Sequence, residues 1–88
     1  MIARRIVVSG RVQGVFFRDT CRKVADEHGV AGWVTNLPDG RVEVMAEGDA
    51  AAIDALEKWC REGTELASVT SVETYEEEPT GASGFSVR

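Results

Sequence analysis

The hydrophobic pattern of this 88-residue chain switches repeatedly between a two-residue and a helical period, and the order of the switches admits few folds. "RRIVVSGRV" alternates, with Ile6, Val8, Gly10 and Val12 on one side and Arg5, Val7, Ser9 and Arg11 on the other. Phe17, Cys21, Val24, Ala25 and His28 then recur at helical spacing, up to a stop at Gly29. "VAGWVTN" and "RVEVMAEG" are strands joined across the turn "LPDG", with Val42, Val44 and Ala46 inward. Asp49 is the expected cap of a second helix, whose buried stripe is Ile53, Leu56 and Cys60. Trp59 borders that stripe and Gly63 ends the helix. "LASVTSVETYEEE" is a fourth strand whose interrupted pattern predicts a bulge, and "GFSVR" is a short closing strand.

The order strand, helix, strand, strand, helix, strand predicts an α+β fold, the ferredoxin-like βαββαβ sandwich. It has an antiparallel sheet with two helices on one face, here with a short extra C-terminal strand. The length predicts a single domain over residues 1–88. The topology has a local consequence. Strands one and two run parallel with strand three between them, so their C-terminal ends share an edge of the sheet. The loop ending at Arg18 and the strand end at Asn36 then lie roughly 10 Å apart, two strand spacings.

The joint between the first strand and the first helix, "GRVQGVFFR", carries no Ser, Thr, Asp or Asn to cap the helix. A glycine-containing loop that enters an uncapped helix turns backbone N–H groups inward. Such a nest, with the helix dipole behind it, binds an anion. Gly14 permits the required backbone, and Arg18 offers a planar fork of donors suited to phosphate. Composition alone leaves a second reading open, a tight turn beside a surface arginine. Known alternatives for phosphate chemistry are missing: there is no G-x-x-x-x-G-K-[ST] and no G-x-G-x-x-G, and neither cysteine precedes an arginine at the spacing of a thiolate phosphatase loop. His28, the single histidine, sits at a helix end and reads as a terminal cap rather than a catalyst or metal ligand.

The net charge of −5 argues against a nucleic-acid binder. Its distribution is uneven, since six of the ten basic residues fall within residues 1–23 against Asp19 alone. No apolar run approaches a membrane span. Cys21 and Cys60 are too few for a disulfide framework and read as buried, reduced thiols, which predicts a cytoplasmic protein.

"VSGRVQGVFFR" and "GWVTNLPDGRVEVMAEG", with the closing "SGFSVR", resemble the signature segments of the acylphosphatases. The first keeps V-Q-G-V-x-F-R intact from Val12 to Arg18. The second keeps Gly32, Trp33, Asn36, Gly40, Val42 and Gly48 in register. The resemblance implies the ferredoxin-like fold and hydrolysis of the carboxyl–phosphate anhydride of acyl phosphates, with no metal, no cofactor and no covalent phosphoenzyme. By the same resemblance, Arg18 matches the phosphate-binding arginine and Asn36 the asparagine that holds the attacking water. Gln13, Gly14, Val15, Phe16 and Phe17 match the stretch whose N–H groups cradle the phosphate. One departure stands at Thr35, where the family more often has a basic or longer residue.

From the residues themselves, the Gln13 side chain is expected to brace the loop, Phe17 to pack in the core, and Trp33 and Trp59 to pack rather than stack on substrate. The expected partner is a small-molecule acyl phosphate, for a monomer that engages neither nucleic acid nor membrane. Two other readings compete. One is a carbamoyl-phosphate-handling module, since such domains begin larger maturation enzymes; zinc-finger cysteines and a nucleotide site are missing here. The other is an RNA-binding sheet, which wants paired aromatics that "RRIVVSG" and "RVEVMAEG" lack.

Overall fold

The computed structural model describes residues 1–88. Its elements are β1 (Ile2–Arg11), α1 (Phe17–His28), β2 (Ala31–Asn36), β3 (Val42–Gly48), α2 (Ala50–Glu62), β4 (Ser68–Glu77) and β5 (Phe85–Val87). The sheet order is β4-β1-β3-β2-β5. The first three pairings are antiparallel; β5 adds to the outer edge of β2 in parallel, so the complete sheet is mixed. Val8 of β1 and Asn36 of β2 both lie opposite Val42 of β3. That shared register brings the ends of β1 and β2 to one edge, as the element order predicts.

One core lies between the helices and one face of the sheet. Ile6 and Val8 of β1, Val34 of β2, and Val42, Val44 and Ala46 of β3 meet Phe17, Cys21 and Ala25 of α1 and Ile53, Leu56 and Cys60 of α2. Both cysteines are free and fully buried. The Cys21 thiol, and then burial, push Cys60 well above its ordinary pKa, so it stays a neutral thiol. No helix is long and apolar enough to cross a membrane.

The predicted bulge is in β4. Ser9 pairs with Ser71, but Gly10 pairs with Val69, so Thr70 is the extra residue. The slip lets Val69 and Val72, three apart, both pack against the core. It also presses the strands together: a Cβ on Gly10 would run into the Ser68 carbonyl oxygen. One expectation differs from the structure. Asp49 occupies the cap position of α2, but its side chain makes no capping hydrogen bond, and only its carbonyl accepts the Ile53 N–H (3.0 Å). Exposed to water, that carboxylate acts on the helix only through the dipole. Val7 lies on the side of β1 away from the helices, as expected, and is only 2% exposed there. Arg5 reaches Glu43 (3.1 Å), the residue opposite Val7, and also stacks over Tyr75 at 4.5 Å, so long side chains cover this face.

Glu47, also on the helix-free face and 2% exposed, fastens the β4–β5 connection. Its carboxylate accepts the Thr80 hydroxyl (2.6 Å) and the N–H groups of Thr80 (2.8 Å), Gly81 (3.0 Å) and Ala82 (3.4 Å). The Thr80 hydroxyl leads these bonds in pulling its pKa below the ordinary glutamate value. A lowered folded-state pKa contributes stability above the unfolded value, about 4.3, that is lost as pH falls through the folded value. Glu47→Gln keeps the shape and loses the charge. Its melting temperature should be lower than wild type at pH 7, and the gap should close under acid. A gap that stays constant from pH 7 to pH 2 would show that the charge contributes nothing.

Candidate active site

The β1–α1 loop is held by alternate residues. Val12, Val15 and Phe17 point into the core and are buried, which leaves Gly14, Phe16 and Arg18 turned outward. Two polar side chains tie the loop to its neighbours. Gln13 Nε2 donates to the carbonyls of Leu37 (2.8 Å) and Arg41 (3.0 Å), and the Thr64 hydroxyl donates to the Val15 carbonyl (2.7 Å). The Gln13 side chain thus braces the loop against the β2–β3 turn.

The helix starts uncapped, as its sequence predicts. Phe16 is the cap residue of α1 and makes no side-chain cap bond. Its backbone is left-handed at φ 62, ψ 22, the one positive-φ residue in the chain that is not glycine. That conformation costs a side chain about 1–2 kcal/mol. Gly14, at φ 73, adopts it freely. Two left-handed residues thus stand at alternate positions of the loop.

A cavity of about 240 Å³ opens above the loop, lined by Gly14, Phe16, Phe17, Arg18 and Asn36 with Val12, Asp19 and Val87. Arg18 Nη1 donates to the backbone oxygen of Arg88 (2.7 Å), which fixes the guanidinium at the cavity wall. Asn36 Oδ1 is buried and has no hydrogen-bond partner. Leaving such an atom unpaired costs about 1–3 kcal/mol, so it marks a place where a donor is expected.

Five of the seven residues predicted from the sequence therefore meet at one cavity. The side chains of Gln13 and Val15 go elsewhere, to the β2–β3 turn and to the core, which leaves only their backbones to the loop. Thr35 donates from its hydroxyl to the Asn36 carbonyl at 3.5 Å. Val12, Asp19 and Val87 were not foreseen as lining residues, nor Arg88 as the partner of Arg18. Val87 and Arg88 arrive only through the parallel β2–β5 pairing, where Val34 meets Val87. Three residues of the basic N-terminal end are engaged with carboxylates away from the cavity lining. Arg4 pairs with Asp54 (2.7 Å) and Glu57 (3.0 Å), Arg5 with Glu43 and Arg22 with Asp26 (3.6 Å), which leaves Arg18 as the cation in the cavity lining. His28 is exposed in the last turn of α1, Trp59 packs on Phe17 (4.8 Å between rings), and Trp33 lies under the Arg88 guanidinium (4.6 Å). A second cavity, about 360 Å³, opens beside Trp33 and Glu47 and holds none of the loop residues.

The sequence matches the family described as Acylphosphatase over residues 4–87. Over 86 residues it is 60% identical to a protein from Rubrobacter xylanophilus named acylphosphatase, covering 96% of this chain and 77% of that one. Its fold is similar to the crystal structure of acylphosphatase from Bacillus subtilis, with a TM-score of 0.97 and 39% identity over 100% of this chain and 99% of the other. It is also similar to the crystal structure of T. kodakarensis HypF, with a TM-score of 0.87 and 33% identity, over 100% of this chain but 12% of that longer one.

Proposed function

This chain belongs to the acylphosphatase family, and we propose that it hydrolyses acyl phosphates through Arg18, Asn36 and the backbone N–H groups of residues 13–17. The observation that supports the division of labour is the unpartnered Oδ1 of Asn36, a residue that lines the same cavity as Arg18. Arg18 and the N–H groups hold the phosphoryl oxygens. Asn36 Oδ1 accepts a hydrogen bond from a water and aims its oxygen at phosphorus, opposite the acyl oxygen. As the water oxygen bonds to phosphorus, the bond from phosphorus to the acyl oxygen breaks and its electron pair leaves on a carboxylate. The carboxylate is a weak base and needs no protonation by the protein. The water's proton passes to a phosphoryl oxygen of the substrate, an acceptor that the substrate itself brings next to the attacking water. Phosphoryl transfer through a loose transition state asks mainly for positioning and charge stabilisation, which this set of groups supplies.

The reading includes metal independence, since the guanidinium and the N–H groups provide the positive field. It includes a reducing, cytoplasmic setting, which the free thiols of Cys21 and Cys60 support. The test compares an aryl acyl phosphate with an aryl phosphomonoester under excess chelator. The acyl phosphate should turn over far faster and lose nothing to EDTA. Comparable rates on the two substrates would remove this mechanism, and activity that only a divalent ion restores would remove its metal independence.

A further inference from the structure

Phe16 has a side chain that neither folding nor phosphate capture explains. Its left-handed backbone belongs to the loop proposed to hold the phosphate. Its side chain is 69% exposed, so burial does not account for an aromatic residue there. The residue lines the cavity that holds Arg18 and Asn36. A backbone N–H aimed at phosphate needs no aromatic ring behind it. A large apolar side chain kept exposed at a site, with no burial in return, points to a role in that site.

The rest of the cavity wall gives the ring its context. Val87, 36% exposed, and Val12 add apolar surface to the same cavity. Asp19, in the first turn of α1, is the only acidic residue of the lining and opposes a second negative charge on a bound molecule. The phosphoryl end of an acyl phosphate is the part that Arg18 and the N–H groups take up. The part left over is the acyl group, which must lie toward the mouth.

We infer, resting on the acyl-phosphate reading above, that Phe16 and Val87 form an acyl-group subsite that selects uncharged, apolar acyl groups, aryl groups most of all. The flat ring supplies a rigid platform against which an aryl or branched acyl group packs. An acetyl group is too small to cover it.

The test is a ratio, kcat/KM on benzoyl phosphate divided by kcat/KM on acetyl phosphate. Any damage that a Phe16 substitution does to the phosphate loop affects both substrates and cancels. In Phe16→Ala the ratio should fall about 10-fold relative to wild type, the scale of a lost apolar contact in a specificity pocket. Phe16→Leu should keep it within about threefold, because an apolar surface remains. Phe16→Gly relieves the backbone strain, so it folds even where Phe16→Ala does not, and should show the same fall as Ala. Val87→Ser should lower the ratio in the same direction. An unchanged ratio in folded Phe16→Ala or Phe16→Gly, with both substrates still hydrolysed, overturns the subsite alone. A wild-type protein that hydrolyses neither substrate overturns the acyl-phosphate reading itself, and the two failures are distinct.

Discussion

Replacing Arg18 with alanine is expected to abolish inorganic phosphate binding and to lower kcat/KM on an acyl phosphate by about 10³–10⁵-fold. That is about 4–7 kcal/mol of transition-state stabilisation. The size follows from what the residue does alone. Arg18 is the one basic residue among those lining the cavity, so no other lining side chain supplies its charge. Its guanidinium is positioned by one bond to the Arg88 backbone oxygen, 2.7 Å long, through Nη1. The remaining donors are available to a phosphoryl group as a fork. Lysine carries the charge but cannot make one bond to Arg88 and a bidentate bond to phosphate in the same plane, so Arg18→Lys should recover little. The fold should survive, since Arg18 makes no ion pair with a carboxylate side chain and lies at the surface end of α1. Circular dichroism melts, phosphate titration and steady-state kinetics on both variants check this. An alanine variant that keeps most of its wild-type efficiency would make the loop a structural turn and nothing more.

Asn36→Ala should fail in a different way. If Asn36 holds the water while Arg18 and the loop hold the phosphate, turnover falls by about 10²–10³, the cost of one positioning group lost from the transition state. Affinity for inorganic phosphate should stay within a few-fold of wild type, and KM should change little. Stability gives an independent sign. Oδ1 is a buried atom with no partner, so removing it is expected to leave the melting temperature unchanged or slightly raised. Bracing of the adjacent turn is the work of Gln13, through Leu37 and Arg41, so the substitution leaves that turn fastened. Loss of phosphate affinity in proportion to the lost rate would make Asn36 a second phosphate ligand and leave the water without its holder.

Much of this was legible in the chain because periodicity reports how each element meets its own core. Val42, Val44 and Ala46 alternate, Ile53, Leu56 and Cys60 recur at helical spacing, and all six are fully buried. The uncapped start of α1 was legible for the same local reason: a cap is a property of adjacent residues, and "QGVFFR" has none to offer. Arg18 and Asn36 stood out by motif, and the element order alone set them on one edge of the sheet. Local pattern misled at Asp49, which has the right identity for a cap but keeps its side chain exposed and makes no capping hydrogen bond. Val7 alternates onto the face away from the helices, and its burial there, beside the Arg5–Glu43 pair, is not written in the alternation.

The sequence by itself determined the elements, their inward faces, the topology and the two principal side chains of the site. Only the tertiary structure decided what surrounds them. Arg88 reaches Arg18 across 70 positions because β5 joins β2 in parallel, and a three-residue strand carries no signal of which edge it will find. Glu47 reads as an outward charge on an alternating strand, but it becomes the anchor of a loop more than thirty residues away. The orphaned Asn36 Oδ1 and the left-handed Phe16 are likewise invisible in the letters. Each depends on atoms brought together by register and sheet order, and a pattern along one strand or helix describes only the faces of that element.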